Sequence, residues 1–289
     1  MLTLISAAAT WGILRGSVFF NKQLISQPSD MNLVRLWNLQ DYSAILSLTS
    51  ETLEKNPMDP YSLLFSGFAG YHKAVSQISA EEVNFFLNSS IIHLRKALII
   101  EDIPKKEIIY YILGKAYLLK GRYYADLAVF YLNEALSLGY ENADTYEFLG
   151  EAYSYLGDFE KSIVHYEKAL DMFQSDRLYL KIAEDCFRNG LYNKSAEYYK
   201  ILISETRDES LKKKGLFQLG KLYYDIKNLK MARDTFSELT ELDPTVAEAH
   251  FLLGETYHML GEPAEARSEW LRTVRIDPEH RGARLRLYK

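Results

Sequence analysis

The chain has 289 residues, with 34 basic and 39 acidic side chains and a formal net charge of −5, so it carries no general attraction for nucleic acid. A single cysteine, Cys186, excludes an internal disulfide framework, and six scattered histidines lack the spacing of a metal site. No metal and no cofactor is expected.

The first element in chain order, residues 1–20, differs in texture from the rest. Leu2–Phe20 is apolar, has no Asp or Glu, and contains Arg15. The clean apolar run before Arg15 is shorter than the ~20 residues of a bilayer span. Three readings fit it: a signal-anchor that begins upstream of Met1, a cleaved signal with Ala7, Ala8 and Ala9 at its small-residue site, or an extra packing helix. Arg15, Lys22 and Arg35 all follow the run, which by the positive-inside tendency argues against export. Membrane association through this segment is the expectation, and a cytoplasmic protein the alternative.

Residues 26–106 read as helix pairs of degenerate pattern. Met31–Leu39 and the stretch from Asp41 and Tyr42 to Asn56 and Pro57 make one pair; Gly67 in one helix with Ser90, Leu94 and Ala97 in the next makes a second. An insertion around Ser76–Phe86 is expected to lengthen the turn or the first helix of that second pair.

From residue 107 to 289 a pattern recurs: Leu113 and Gly114 with Tyr117 and Gly121; Leu149 and Gly150 with Tyr153 and Gly157; Leu219 and Gly220 with Tyr223; Leu253 and Gly254 with Tyr257 and Gly261. Ile182, Ala183, Cys186 and Gly190 keep the spacing with conservative swaps, which places Cys186 in the core. The steps between Gly114, Gly150, Ala183, Gly220 and Gly254 are 36, 33, 37 and 34 residues. Tyr146, Leu149, Gly150 and Tyr153 share one helical stripe. A glycine recurring in mid-helix costs roughly 1 kcal/mol against Ala, so it marks a close helix–helix approach. The following helix carries a small residue and, four on, an aromatic: Ser162 and Tyr166, Ser195 and Tyr199, Ala232 and Phe236, Ala266 and Trp270. Asp243 with Pro244 and Asp277 with Pro278 close two repeats.

This period and consensus resemble the tetratricopeptide repeat (TPR) family. The resemblance implies an all-α fold, a right-handed α-solenoid of stacked antiparallel helix pairs (a TPR superhelix). Five repeats start near Glu107, Ala143, Asp176, Lys213 and Ala247, continuous with the degenerate pairs before them. No pair buries its apolar stripe alone, so stacking is obligatory.

In this family the first helix of each pair lines a concave groove. Carried over position by position, the implied partner-binding residues are Tyr111 and Lys115; Glu147, Glu151 and Tyr155; Arg177, Glu184, Phe187 and Arg188; Lys214, Phe217, Lys221 and Tyr224; and Glu248, Phe251, Glu255 and His258. They describe aromatics between charges of alternating sign, which suits an interaction surface. Packing of Leu180, Phe217 and Phe251 on the adjacent helix, leaving only the charges wet, is the competing reading. Repeat position 9 holds Lys115, Glu151, Glu184, Lys221 and Glu255 and never Asn, which disfavours the Lys-and-Asn clamp that grips chaperone C-termini. The basic C-terminus reads first as a solvated capping helix and second as a docking patch.

Catalytic motifs are absent from the sequence. The Gly-Lys pairs at 114–115 and 220–221 lie in mid-helix and cradle no phosphate, and neither a Gly-x-Ser-x-Gly elbow nor a His-Glu-x-x-His helix occurs. The expected function is therefore non-enzymatic: a scaffold for protein–protein interaction, tethered in a bacterial-type envelope assembly. The expected partners are one or more proteins, presenting an extended segment or a helix to the groove, with membrane contact through residues 2–20 and no nucleic acid. The alternatives are a soluble cytosolic peptide-binding adaptor and an accessory subunit of a partner enzyme.

Overall fold

The computed structural model describes residues 28–288. Among them are fifteen α-helices, one 3-10 turn and no strand, so the architecture is an all-α array of stacked antiparallel pairs. Leu2–Phe20 lies outside the described residues. The chain divides into two compact units, Met1–Asp158 and Phe159–Lys289.

In the first unit the helices are α1 (Pro28–Asn38), α2 (Tyr42–Lys55), α3 (Pro60–Ser76), α4 (Ala80–Ala97), α5 (Lys106–Leu119), α6 (Ala125–Ser137) and α7 (Ala143–Leu156). Their starts are written in the sequence. The Asp41, Asp59 and Asn142 side chains accept hydrogen bonds from the backbone N–H groups of Ala44, Ser62 and Thr145, satisfying donors that a helix start leaves open. Pro60 occupies the first turn of α3, where no intrahelical bond is lost. Gly157 closes α7 in the left-handed conformation, φ 79°, which a side chain resists.

The inserted residues between the second degenerate pair do not make a long turn. Only residues 77–79 separate α3 from α4, and the helices run to 17 and 18 residues where their counterparts downstream mostly have 13 or 14. The first helix is longer, as one of the two expectations had it, and the second helix is longer too, while the turn stays short. Glu81 and Glu82 fall in the first turn of α4, where the helix dipole favours them, and no glycine or proline interrupts 76–86.

The pairs meet at the recurring small residues. A Cβ on Gly114 would lie 2.5 Å from Leu132 Cγ, and one on Gly67 2.4 Å from a Leu94 methyl. Ser90 donates to the Gly67 carbonyl at 2.6 Å, locking α4 to α3. The core of this unit runs from Leu33 and Trp37 through Phe65, Phe68 and Leu94 to Tyr111, Leu132 and Leu149.

The second unit contains α8 (Phe159–Met172), α9 (Asp176–Arg188), α10 (Tyr192–Glu205), α11 (Glu209–Asp225), α12 (Leu229–Leu242), α13 (Ala247–Leu260), α14 (Pro263–Ile276) and the short α15 (Arg281–Leu287). The same devices recur. Ser195 donates to the Ala183 carbonyl at 2.7 Å, Gly220 faces the Phe236 ring and Gly254 faces the Trp270 indole, each at 2.7 Å from an added Cβ. Cys186 is fully buried, and burial pushes its thiol up to about 11, so it behaves as a small apolar core residue. One boundary differs: α11 starts at Glu209, four residues before Lys213, because Asp208 accepts from Ser210 and Leu211 N–H and caps it there.

Candidate protein-interaction surface

The first helices of successive pairs are α5 and α7 in the first unit, and α9, α11, α13 and then α15 in the second. They bring the residues implied by the repeat positions onto neighbouring helices, but with a different use for the charges.

In the first unit Lys115 of α5 is buried, at 5% exposure, and its ammonium sits 3.7 Å from the carboxylate of Asp144 on α7. Lys115 also donates to the Tyr111 hydroxyl at 2.9 Å, which in turn donates to Asp144 at 3.1 Å. Three rings surround the ammonium, Phe148 at 4.4 Å, Tyr111 at 4.9 Å and Tyr71 at 5.8 Å, an arrangement that stabilises a cation in a poorly hydrated site. Burial pulls the Lys115 ammonium down to about 8, against the upward pull of Asp144 and Glu147. Burial likewise raises the Asp144 carboxyl, against the downward pull of Lys115 and Tyr111. Tyr111 and Lys115 therefore belong to the interior and not to an open groove. Glu147 and Glu151 are half-buried, while Tyr155 is exposed and donates to Glu151 at 3.3 Å.

The second unit repeats the plan. Glu184 of α9 pairs with Lys214 of α11 at 3.1 Å. Glu255 of α13 is 8% exposed and takes two hydrogen bonds from Arg286 of α15, while Glu248 pairs with His280 at 3.0 Å. Lys115, Glu184 and Glu255 share repeat position 9, and each reaches an opposite charge 29 to 31 residues later on the next first helix. The alternation of sign along this face is thus a ladder between adjacent repeats. It was visible in the sequence as charge but not as pairing, because no single repeat contains both partners.

The aromatics are also partly committed. Phe217 lies 6.4 Å from the Phe236 ring, and Phe251 packs over Gly282 with its ring 4.7 Å from His280. Leu180 is buried in the same cluster as Tyr199 and Phe236. These three follow the packing alternative. Phe187 is half-buried against Tyr192 at 5.7 Å, Tyr224 is half-buried beneath Lys227, and His258 is exposed with its ring 5.7 Å from Trp270. Arg188 reaches Asp185 at 3.3 Å and the Phe159 ring. That leaves Arg177 and Lys221, both exposed and without an ion pair among the described residues. Among the residues that the repeat positions imply in the second unit, the charge left without an ion pair is positive.

Cavities also lie elsewhere among the described residues. One of about 550 Å³ is bounded by α12, α13 and α14 and includes His250, Tyr257, Glu269, Arg272 and Arg275. His250 is engaged on both sides, Nδ1 at 2.6 Å from Glu269 and Nε2 at 3.2 Å from the Pro244 carbonyl, and Arg272 donates to the same carboxylate at 2.8 Å. The partner of His250 is Glu269, which only the packing of α14 supplies. No cluster of ligating side chains able to hold a metal ion occurs among the described residues. Another cavity, about 400 Å³, lies between α2, α3 and α4 and is lined by Leu46, Leu53, Phe86 and His93.

Tetratricopeptide repeat models match residues 143–176 and 217–281. Among solved structures, the C-terminal part of a TPR repeat-containing protein from Cytophaga hutchinsonii superposes with a TM-score of 0.70 at 15% identity, over 89% of this chain and 99% of that one. YrrB, a TPR protein with an unusual peptide-binding site, gives 0.54 at 22% identity over 66% of this chain and 96% of its own. MamA gives 0.52 at 17% identity, over 58% and 95%. No curated protein sequence matches the chain. The likeness to the solved structures extends to the fold, and the repeat models name its unit. The chain is a tetratricopeptide repeat protein.

Proposed function

We propose that this protein is a scaffold that holds a partner protein along the face formed by α9, α11 and α13, and that the segment it holds is extended and acidic. The repeats themselves support a role in protein–protein interaction. The observation that carries the finer reading is the balance of charge on that face. The glutamates at 184 and 255 are neutralised by Lys214 and Arg286, and Glu248 is engaged by the His280 ring, which leaves Arg177 and Lys221 to meet a ligand of opposite charge. Half-buried Phe187 and Tyr224 supply apolar contact beside them. The peptide-binding site of YrrB is a precedent in fold for such a role.

Charges at the rim of an interface act chiefly on association rate and salt dependence. With the partner obtained by cross-linking from native cells, Arg177→Glu with Lys221→Glu is expected to slow association and flatten its dependence on salt, with helix content unchanged. Unaltered association kinetics in that variant would rule this face out.

A second element of the proposal is a tether. Leu2–Phe20 is apolar and free of acidic residues, which favours membrane association in an envelope assembly. Among the described residues no helix is long and apolar enough to cross a membrane. Fractionation of the full chain beside a variant starting at Asn21 tests it: the full chain is expected with membranes and the shortened one in the soluble fraction. Recovery of both in the soluble fraction at low salt would refute the tether.

A further inference from the structure

Helix α4 buries Leu87, Ser90, Ile91, Leu94 and Ala97 against its own unit. Its opposite side is apolar too. Ile78 is 94% exposed, Phe85 68%, Ile92 53% and Ile99 74%, and the four are spaced seven residues apart. Seven residues return a helix to within about 20° of the same face, so Phe85 and Ile92 form a stripe on the outside of the helix, with Ile78 and Ile99 just beyond its two ends. Phe85 is held edge-on to Phe86 at 5.3 Å. Phe85 and Ile92, facing water in heptad register and flanked by exposed Ile78 and Ile99 beyond the helix ends, are what a helix presents to another helix.

The charges beside the stripe say which helix. Glu81 and Glu82 lie in the first turn of α4, and Arg95 and Lys96 in its last turn; all four are exposed. Turned end for end about the point midway between Asn88 and Ser89, the helix matches itself. Ile78 then meets Ile99, Phe85 meets Ile92, Glu81 comes beside Arg95 and Glu82 beside Lys96. Two-fold symmetry requires such self-complementarity, with residue i on j and j on i.

We propose that the outer face of α4 is a homodimer interface, in which α4 of a second copy lies antiparallel across it, stripe on stripe and acidic end on basic end. Each α4 is about 27 Å long at 18 residues. The interface uses a second helix of its pair and none of the first helices proposed to hold a partner. Two equivalent faces in one assembly would bind a repeating or clustered partner with an avidity that neither face has alone.

Sedimentation velocity on the full chain tests this. The wild type is expected to sediment as a dimer at micromolar concentration, and Phe85→Glu with Ile92→Glu as a monomer. Charge supplies the decisive arm. A copy with Glu81→Lys and Glu82→Lys is positive at both ends of α4, and a copy with Arg95→Glu and Lys96→Glu is negative at both. Each alone should dimerise about tenfold more weakly or worse, while an equimolar mixture should form a one-to-one heterodimer. Recovery on mixing cannot come from misfolded chains. A monomeric wild type, a dimer indifferent to the Phe85 and Ile92 changes, or a mixture no tighter than its components would each overturn the proposal.

Discussion

Arg286 grips Glu255 with two parallel hydrogen bonds, Nε to Oε1 at 2.8 Å and Nη2 to Oε2 at 2.6 Å, across the joint between α13 and the C-terminal α15. This forked geometry is the strong form of a charge-assisted bond. Glu255 is almost wholly buried while half of the Arg286 side chain is wet, so the two partners are not equivalent. The guanidinium also stacks over the Trp270 ring at 5.7 Å. The basic residues at the C-terminus serve in part as the cap that closes the last repeat.

Arg286→Ala is therefore expected to cost about 1–3 kcal/mol, the usual penalty for leaving a buried acceptor unmet, and to lower the thermal midpoint. Glu255→Gln combined with Arg286→Ala should recover part of that loss, because the stranded charge is gone. A double variant no more stable than the single one would mean that the guanidinium acts only through its packing on Trp270.

Gly254→Ala is expected to destabilise the protein although alanine is the better helix former. The added methyl would meet the Trp270 indole at 2.7 Å and the Ala266 carbonyl at 3.1 Å. Overpacking of that kind costs about 1–3 kcal/mol, which exceeds the gain of about 1 kcal/mol in helix propensity. A midpoint equal to or above the wild type would show that α13 and α14 can move apart freely.

His72 carries a pH dependence of known sign. Its ring stacks on Tyr42 at 4.8 Å, meets the Trp37 and Tyr71 rings edge-on and feels the Lys115 charge. Burial first, and Lys115 second, bring its folded pKa down from 6.5 to about 4. Below 6.5 the unfolded chain takes up a proton that the folded chain refuses, so stability falls as the pH drops from 6.5 to about 4. His72→Phe keeps the aromatic packing and removes the titration. The loss of stability between those pH values should then shrink by about 2 kcal/mol, measured by chemical denaturation at pH 7 and pH 4.5. Equal slopes for both proteins would mean that His72 is hydrated.

The repeat frame was legible in the sequence because it rests on local signals, such as Gly114 and Gly254 at close approaches and Gly157 in a left-handed turn. What lay between repeats was not. Lys115 reads as an exposed groove charge until Asp144, 29 residues on, and the ring of Phe148 are placed beside it. The contact of Glu269 with His250 exists only once α14 lies against α13. The insertion near Ser76 was legible as extra length in the turn or the first helix, but not as length in α4. The outer stripe on α4 was present as four apolar residues at seven-residue steps, yet only burial on the opposite side shows that they face outward.

The central claim is that a partner lies along α9, α11 and α13. It is tested most directly by site-specific photo-cross-linking in the cells that make the protein. A benzophenone side chain is placed at Arg177 or Lys221 on that face, and for comparison at Leu271 on α14, which is exposed on a second helix. The account predicts the same cross-linked protein from Arg177 and Lys221, diminished by raised salt, and none from Leu271. Adducts arising from Leu271 and absent from both Arg177 and Lys221 would contradict it.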